Sequence, residues 1–102
     1  MVARLGDAYV HLGRLEEAAQ LYERALTIRE KEFGRDSRMV AYSLNKLGNL
    51  YRQWNRYADA EPFYQRALAI RKKILSPDHP EYALSLNTLA GLYKAIVLDA
   101  VE

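Results

Sequence analysis

The chain has 102 residues, half of them apolar and 27% charged, and its 15 basic and 13 acidic residues leave a formal charge of +2. That composition fits one soluble domain, and the absence of cysteine excludes disulfides, zinc–thiolate sites and cysteine nucleophiles and fits a cytoplasmic location. Acids and bases are interleaved rather than gathered on a basic face, and no apolar run approaches the ~20 residues of a membrane span, so neither nucleic acid nor membrane is an expected partner.

The elements can be taken in chain order. Apolar spacing of three and four residues predicts a first helix over 2–12, closed by Gly13, and a second over 15–33. Asp36-Ser37 offers an N-cap for a third helix over 37–54, which ends at Asn55. Gly13 and Asn55 suit tight turns because both residue types tolerate unusual backbone angles. A fourth helix over 57–75 carries Pro62 near its start, with a slight bend expected there, and Arg71-Lys72-Lys73 read as its solvated basic end. Asp78 is the expected cap of a fifth helix over 79–97, with Glu81 completing a capping box and Pro80 in the first turn. No stretch alternates with period two. The reading is all-α: two helix pairs and an unpaired fifth helix.

SLNKLGNLY, Ser43 to Tyr51, returns as SLNTLAGLY, Ser85 to Tyr93, forty-two residues on, and LGDAY, Leu5 to Tyr9, is a fainter copy the same distance upstream. The shift also aligns Ala18 with Ala60, Tyr22 with Tyr64, and Ile28-Arg29 with Ile70-Arg71. A fixed period of this size marks stacked supersecondary units. Gly6, Gly48 and Ala90 share one repeat position, where close helix crossings require small side chains. One domain over 1–102 is expected, with units at about 1–36 and 37–78 and a partial unit at 79–102.

Leu47, Gly48, Tyr51, Ala60, Tyr64 and Ala67 resemble the tetratricopeptide repeat signature. The longer period, with Ala67-Leu68-Ala69-Ile70-Arg71-Lys72-Lys73, then Asp78-His79-Pro80 and Ser85-Leu86-Asn87, is similar to the kinesin light chain class of these repeats. The resemblance covers residues 2–94 and implies a right-handed helical-hairpin solenoid, of which the chain would be a fragment of about two and a half repeats. After Tyr93 that pattern calls for a turn and another helix, whereas the sequence reads KAIVLDAVE.

In such a stack the first helix of each unit lines the concave face. Residues off the core stripe then form a candidate peptide groove: Asp7 and Ala3 in the first unit, Tyr42, Asn45, Lys46, Asn49 and Arg52 in the second, and Leu84, Asn87 and Lys94 in the third. Asn is a poor helix former, so the return of Asn45 as Asn87 calls for a reason. Its carboxamide can hold a peptide backbone in register, and the resemblance implies that these Asn residues face the groove. The alternatives are a hydrogen bond to a neighbouring helix or simple descent from a duplication. Lys46, Arg52 and Lys94 would favour an acidic or mixed peptide. The carboxylate clamp of co-chaperone repeats needs Lys and Asn four residues apart. The chain has Ala3/Asp7, Asn45/Asn49 and Asn87/Gly91 there, so chaperone tails are not expected ligands.

Nothing supports catalysis, a metal or a cofactor. His11 and His79 lack local partners, and His79 is explained by its helix start; no nucleotide or zinc-protease motif occurs. The expected function is a protein-interaction scaffold that binds an extended peptide or partner helix. The alternative is a structural module that stacks on its own copies. For that reading the expected contacts are Leu86, Leu89, Leu92, Tyr93, Ile96, Val97, Leu98 and Val101, in a two-fold dimer through the last helix.

Overall fold

The computed structural model describes residues 2–101, with side chains from Arg4 onward. It is built from five α-helices: α1 (Val2–His11), α2 (Leu15–Phe33), α3 (Arg38–Gln53), α4 (Tyr57–Ile74) and α5 (Pro80–Val101). Gly13 and Asn55 make the turns inside the two hairpins, with φ of 77° and 60°. Each extensive interface joins consecutive helices: α1 on α2, α2 on α3, α3 on α4 and α4 on α5. This is the one-dimensional packing of a helical solenoid.

Two helix starts differ in how they are capped. Ser37 caps α3, its hydroxyl accepting from the Val40 amide at 3.1 Å. Asp78 does not cap α5. His79 does, since its Nδ1 accepts from the Glu81 amide at 3.1 Å and its carbonyl from the Tyr82 and Ala83 amides. The capping box is also absent, because Glu81 turns away to pair with Arg38 of α3.

The core follows the repeat. Val40, Ala41, Leu44, Leu47 and Leu50 of α3 are buried between α2 and α4, while Leu89 and Leu92 of α5 close over Ala60 and Tyr64. Each such leucine contributes roughly 1.5–3 kcal/mol by leaving water. The small residues are where the crossings demand them. A Cβ on Gly48 would stand 2.6 Å from the Tyr64 ring, and one on Gly6 2.7 Å from the Tyr22 ring.

Arg71 overturns the expectation of a solvated basic end. It is 1% exposed, and its Nη1 donates to Ser85 Oγ at 2.8 Å. Of the three basic residues only Lys72 and Lys73 are exposed, and Lys73 pairs with Asp36 at 2.7 Å.

The last helix is also longer and more apolar than expected. It runs to Val101 because Val97 occupies the position at which Gly13 and Asn55 turn the chain. By length and composition α5 could cross a membrane, contrary to the reading that no segment approaches this. Its apolarity comes from two stripes. Leu89, Leu92 and Ile96 pack on α4, and Leu86, Ala90, Tyr93, Val97 and Val101 run beside them at helical spacing, exposed.

Candidate functional site

The side chains of α3 and α5 nearest the helix starts frame a recess of about 620 Å³, lined by Arg38, Met39, Tyr42, Arg71, Glu81 and Leu84. Its apolar members are uncovered: Met39 is 40% exposed, Tyr42 48% and Leu84 46%. The 42-residue period puts Tyr42 and Leu84 at one repeat position, so two consecutive units each offer one large side chain.

Charge in the recess is uneven. Arg38 and Glu81 form an ion pair between α3 and α5 that holds the Glu81 carboxyl below its usual value. Arg71 makes no ion pair among the described residues, and its Nε has no hydrogen-bond partner. Burial lowers its pKa, opposed by the nearby charge of Glu81. The guanidinium thus lies beneath the recess rather than at its surface, with its charge offset only in part by Glu81.

A smaller recess lies between α1 and α3, lined by Val10, Tyr22, Lys46, Asn49, Leu50 and Gln53. Here the expected groove residues serve the fold as well. Asp7 accepts from the Tyr22 hydroxyl and from Lys46 Nζ, the latter at 2.7 Å. Burial raises the Asp7 pKa, but the two hydrogen bonds and the Lys46 charge outweigh it and leave the carboxyl below its usual value of 3.8. Asn49 repeats the role one unit later, accepting from the Tyr64 hydroxyl.

The expected residues therefore separate into three groups. Tyr42, Asn87 and Lys94 are exposed and available, and Asn49 is exposed with its carbonyl already engaged. Lys46 is neutralised by Asp7 and lies 5.2 and 5.5 Å from the Tyr22 and Tyr42 rings, and Arg52 is half-buried with Nη2 3.5 Å from the Gly91 carbonyl. Asn45 is only 7% exposed, with its Oδ1 buried and unpartnered. That oxygen is neither presented to solvent nor bonded to a neighbouring helix. The Ala3 side chain lies outside the described residues.

Of the self-association set, Leu89 and Leu92 are buried against α4 and Ile96 is packed beside them, so these three face their own chain. Leu86, Tyr93, Val97, Leu98 and Val101 remain exposed. Arg38, Met39, Arg71 and Glu81 belong to the recess and were not among the expected residues. The repeat carried a signal for one of them, because the alignment of Arg29 with Arg71 and Ser43 with Ser85 encodes the same contact twice.

Among the described residues, no group of three or more His, Asp or Glu side chains is placed to hold a metal ion. The family model described as Tetratricopeptide repeat matches residues 1–73 and 56–96. The fold is similar to BtubC (BKLC) from P. vanneervenii, with TM-score 0.82 and 29% identity over 92% of this chain and 37% of that one. It is also similar to a putative kinesin light chain with nearly identical repeats from Podospora anserina, with TM-score 0.83 and 25% identity over 95% of this chain and 46% of that one. The chain thus spans less than half the length of these solved structures. No curated protein matches it. Arrays of this fold generally mediate protein–protein interaction and are generally non-enzymatic scaffolds. With a family model matching nearly its full length, the chain belongs to the tetratricopeptide repeat family, in the class of kinesin light chain-like repeats.

Proposed function

We propose that the face built by α1, α3 and α5 binds an extended peptide, with an acidic residue beside a bulky apolar one in the recess between α3 and α5. The observation that carries this reading is the Arg71 guanidinium, buried without a carboxylate partner beside the exposed Met39, Tyr42 and Leu84. Apolar side chains of the ligand gain by covering those three, and a ligand carboxylate at the mouth of the recess is attracted by the unpaired charge of Arg71 beneath it. Positive charge thus comes from Arg71 and Lys94 rather than from Lys46, which Asp7 already neutralises. Asn87 and the amide nitrogen of Asn49, whose carbonyl is taken by Tyr64, would bond the ligand backbone.

The test is selection from a displayed random-peptide library, followed by calorimetric titration of a selected peptide and of its acid-to-amide variant. Tyr42→Ala and Leu84→Ser change exposed residues, so they should leave the melting temperature nearly unchanged while weakening binding roughly tenfold each. The acid-to-amide peptide should lose at least as much. Selected peptides with no acidic preference, binding equally well to both variants, would defeat the reading.

A second reading is self-association through α5, without need of a ligand. It is favoured by the exposed apolar row from Leu86 to Val101.

A further inference from the structure

The exposed row on α5 has a definite geometry. Leu86, Ala90, Tyr93, Val97 and Ala100 follow spacings of four, three, four and three, which is the seam of a coiled coil. Val101 flanks its end, and from Leu86 to Val101 the row is roughly 22 Å long. The same surface on α3 is covered: Leu44, the counterpart of Leu86, is 1% exposed against 48%, because α4 folds back over it. On α5 the turn that would allow this is replaced by continuing helix, with Val97 61% exposed where Asn55 turns the chain.

Charges flank the seam on opposite sides. Lys94 follows Tyr93 on one flank, exposed and without an ion-pair partner among the described residues. On the other flank lies α4, whose Glu61 accepts from the Tyr93 hydroxyl at 2.6 Å and likewise has no cationic partner among those residues. Two α5 helices could meet in two ways. An antiparallel pair brings like flanks together, Lys94 against Lys94 and Glu61 against Glu61. A parallel pair, with the two-fold axis along the helices, brings each Lys94 to the Glu61 side of its partner at the level of Tyr93. Coulomb attraction favours the second.

We propose that the partner of this face is a second copy of the chain, docked through a parallel α5–α5 seam with Lys94 of each copy paired to Glu61 of the other. This deepens the self-association reading by fixing the surface and its orientation. The seam is short against the roughly 800 Å² per partner of a standard interface, so the dimer is concentration-dependent.

Sedimentation equilibrium on the 102-residue chain over a wide concentration range reads this directly. A monomer–dimer equilibrium is expected, with Val97→Glu abolishing the dimer while helicity and melting of the monomer hold. Lys94→Glu and Glu61→Lys should each weaken it roughly tenfold, and the double variant should recover most of the loss. A dimer lost in Val97→Glu but indifferent to both charge changes overturns the parallel seam and leaves self-association standing. A chain that stays monomeric at the highest concentration overturns both, as does one that partitions through α5 onto phosphatidylcholine vesicles while remaining monomeric in solution.

Discussion

Arg71 donates from Nη1 to the Ser85 hydroxyl at 2.8 Å, and forty-two residues earlier Arg29 makes the same contact with Ser43 at 2.6 Å. In both, an arginine near the end of a second helix reaches the first helix of the following unit. The two joints differ in setting, since Arg71 is buried and Arg29 keeps partial access to water. Removing the hydroxyl partner therefore has unequal consequences. Ser85→Ala leaves a buried guanidinium short of an acceptor and should cost about 1–3 kcal/mol, whereas Ser43→Ala should cost less because water can replace the hydroxyl. Arg71→Met, similar in reach and without charge, should cost less than Ser85→Ala. Urea denaturation of the three variants gives the ranking, and equal losses at the two serines would show that burial does not distinguish the joints.

Gly48 gives a second prediction, in which two effects compete. Replacing a helical glycine by alanine ordinarily gains about 1 kcal/mol of helix propensity. At Gly48 the new methyl would stand 2.6 Å from the Tyr64 ring, which is itself fixed by its bond to Asn49. Overpacking of this kind costs about 1–3 kcal/mol, so Gly48→Ala should be net destabilising. Gly91→Ala meets only the tip of Arg52, at 3.2 Å, and a flexible guanidinium can move aside. That substitution should be neutral or stabilising. Thermal melts of the pair test the reasoning, since it requires Gly48→Ala to melt below the parent chain and Gly91→Ala not to.

How much of this was legible beforehand depended on whether a residue's role is local or set between units. The first four helices to within a residue or two, the Gly13 and Asn55 turns and the Gly48 crossing follow from periodicity and from residue types with few conformational options, and the structure has them; only the fifth helix runs past its expected end, to Val101. The burial of Arg71 is not legible locally, because a run of basic residues at a helix end usually meets solvent and nothing nearby says that the next unit closes over it. Asp78 looked the better cap by residue type, yet His79 stands one residue nearer the helix and its ring nitrogen reaches the Glu81 amide. Glu81 was then free to pair with Arg38, forty-three residues away, a contact no local motif encodes. Asn45 and Asn87 share one sequence environment, yet only Asn87 remains exposed.

Acid should loosen the stack before it melts the hairpins. Glu81 is held below its usual 4.5 first by its hydrogen bond from Arg38, and Asp36 below 3.8 first by that from Lys73. Asp7 is also depressed, its partners Lys46 and Tyr22 outweighing burial. Each carboxylate has a lower pKa folded than unfolded. Its contribution is complete above the unfolded value and is lost as pH falls through the folded one. Stability should therefore be flat from about pH 5 upward through neutrality and decline below about pH 4. Glu81→Gln should flatten part of that decline. These pairs are largely exposed, so salt should reduce the effect. Melting curves across this range at low and high salt provide the check, and an unchanged slope in Glu81→Gln would exclude the Arg38 pair as a contributor.

The buried Asn45 yields the last prediction. Its Oδ1 is shut off from water and accepts no hydrogen bond, a condition that costs about 1–3 kcal/mol against a satisfied group. Leucine has the same branched skeleton, with two bulkier methyl groups in place of the polar atoms. Asn45→Leu should therefore leave stability unchanged or raise it by about 1 kcal/mol, a reversal of the usual effect of core substitutions. Asn87→Leu, on the exposed face, should change stability little. If the carboxamide is kept for the groove, the stabilised Asn45→Leu chain should bind its selected peptides more weakly, a trade of stability against function. Thermal melts and peptide titrations on the same preparations separate the cases. A stabilised variant with full affinity would remove Asn45 from the groove, and a strongly destabilised one would mean that the amide is satisfied within the fold.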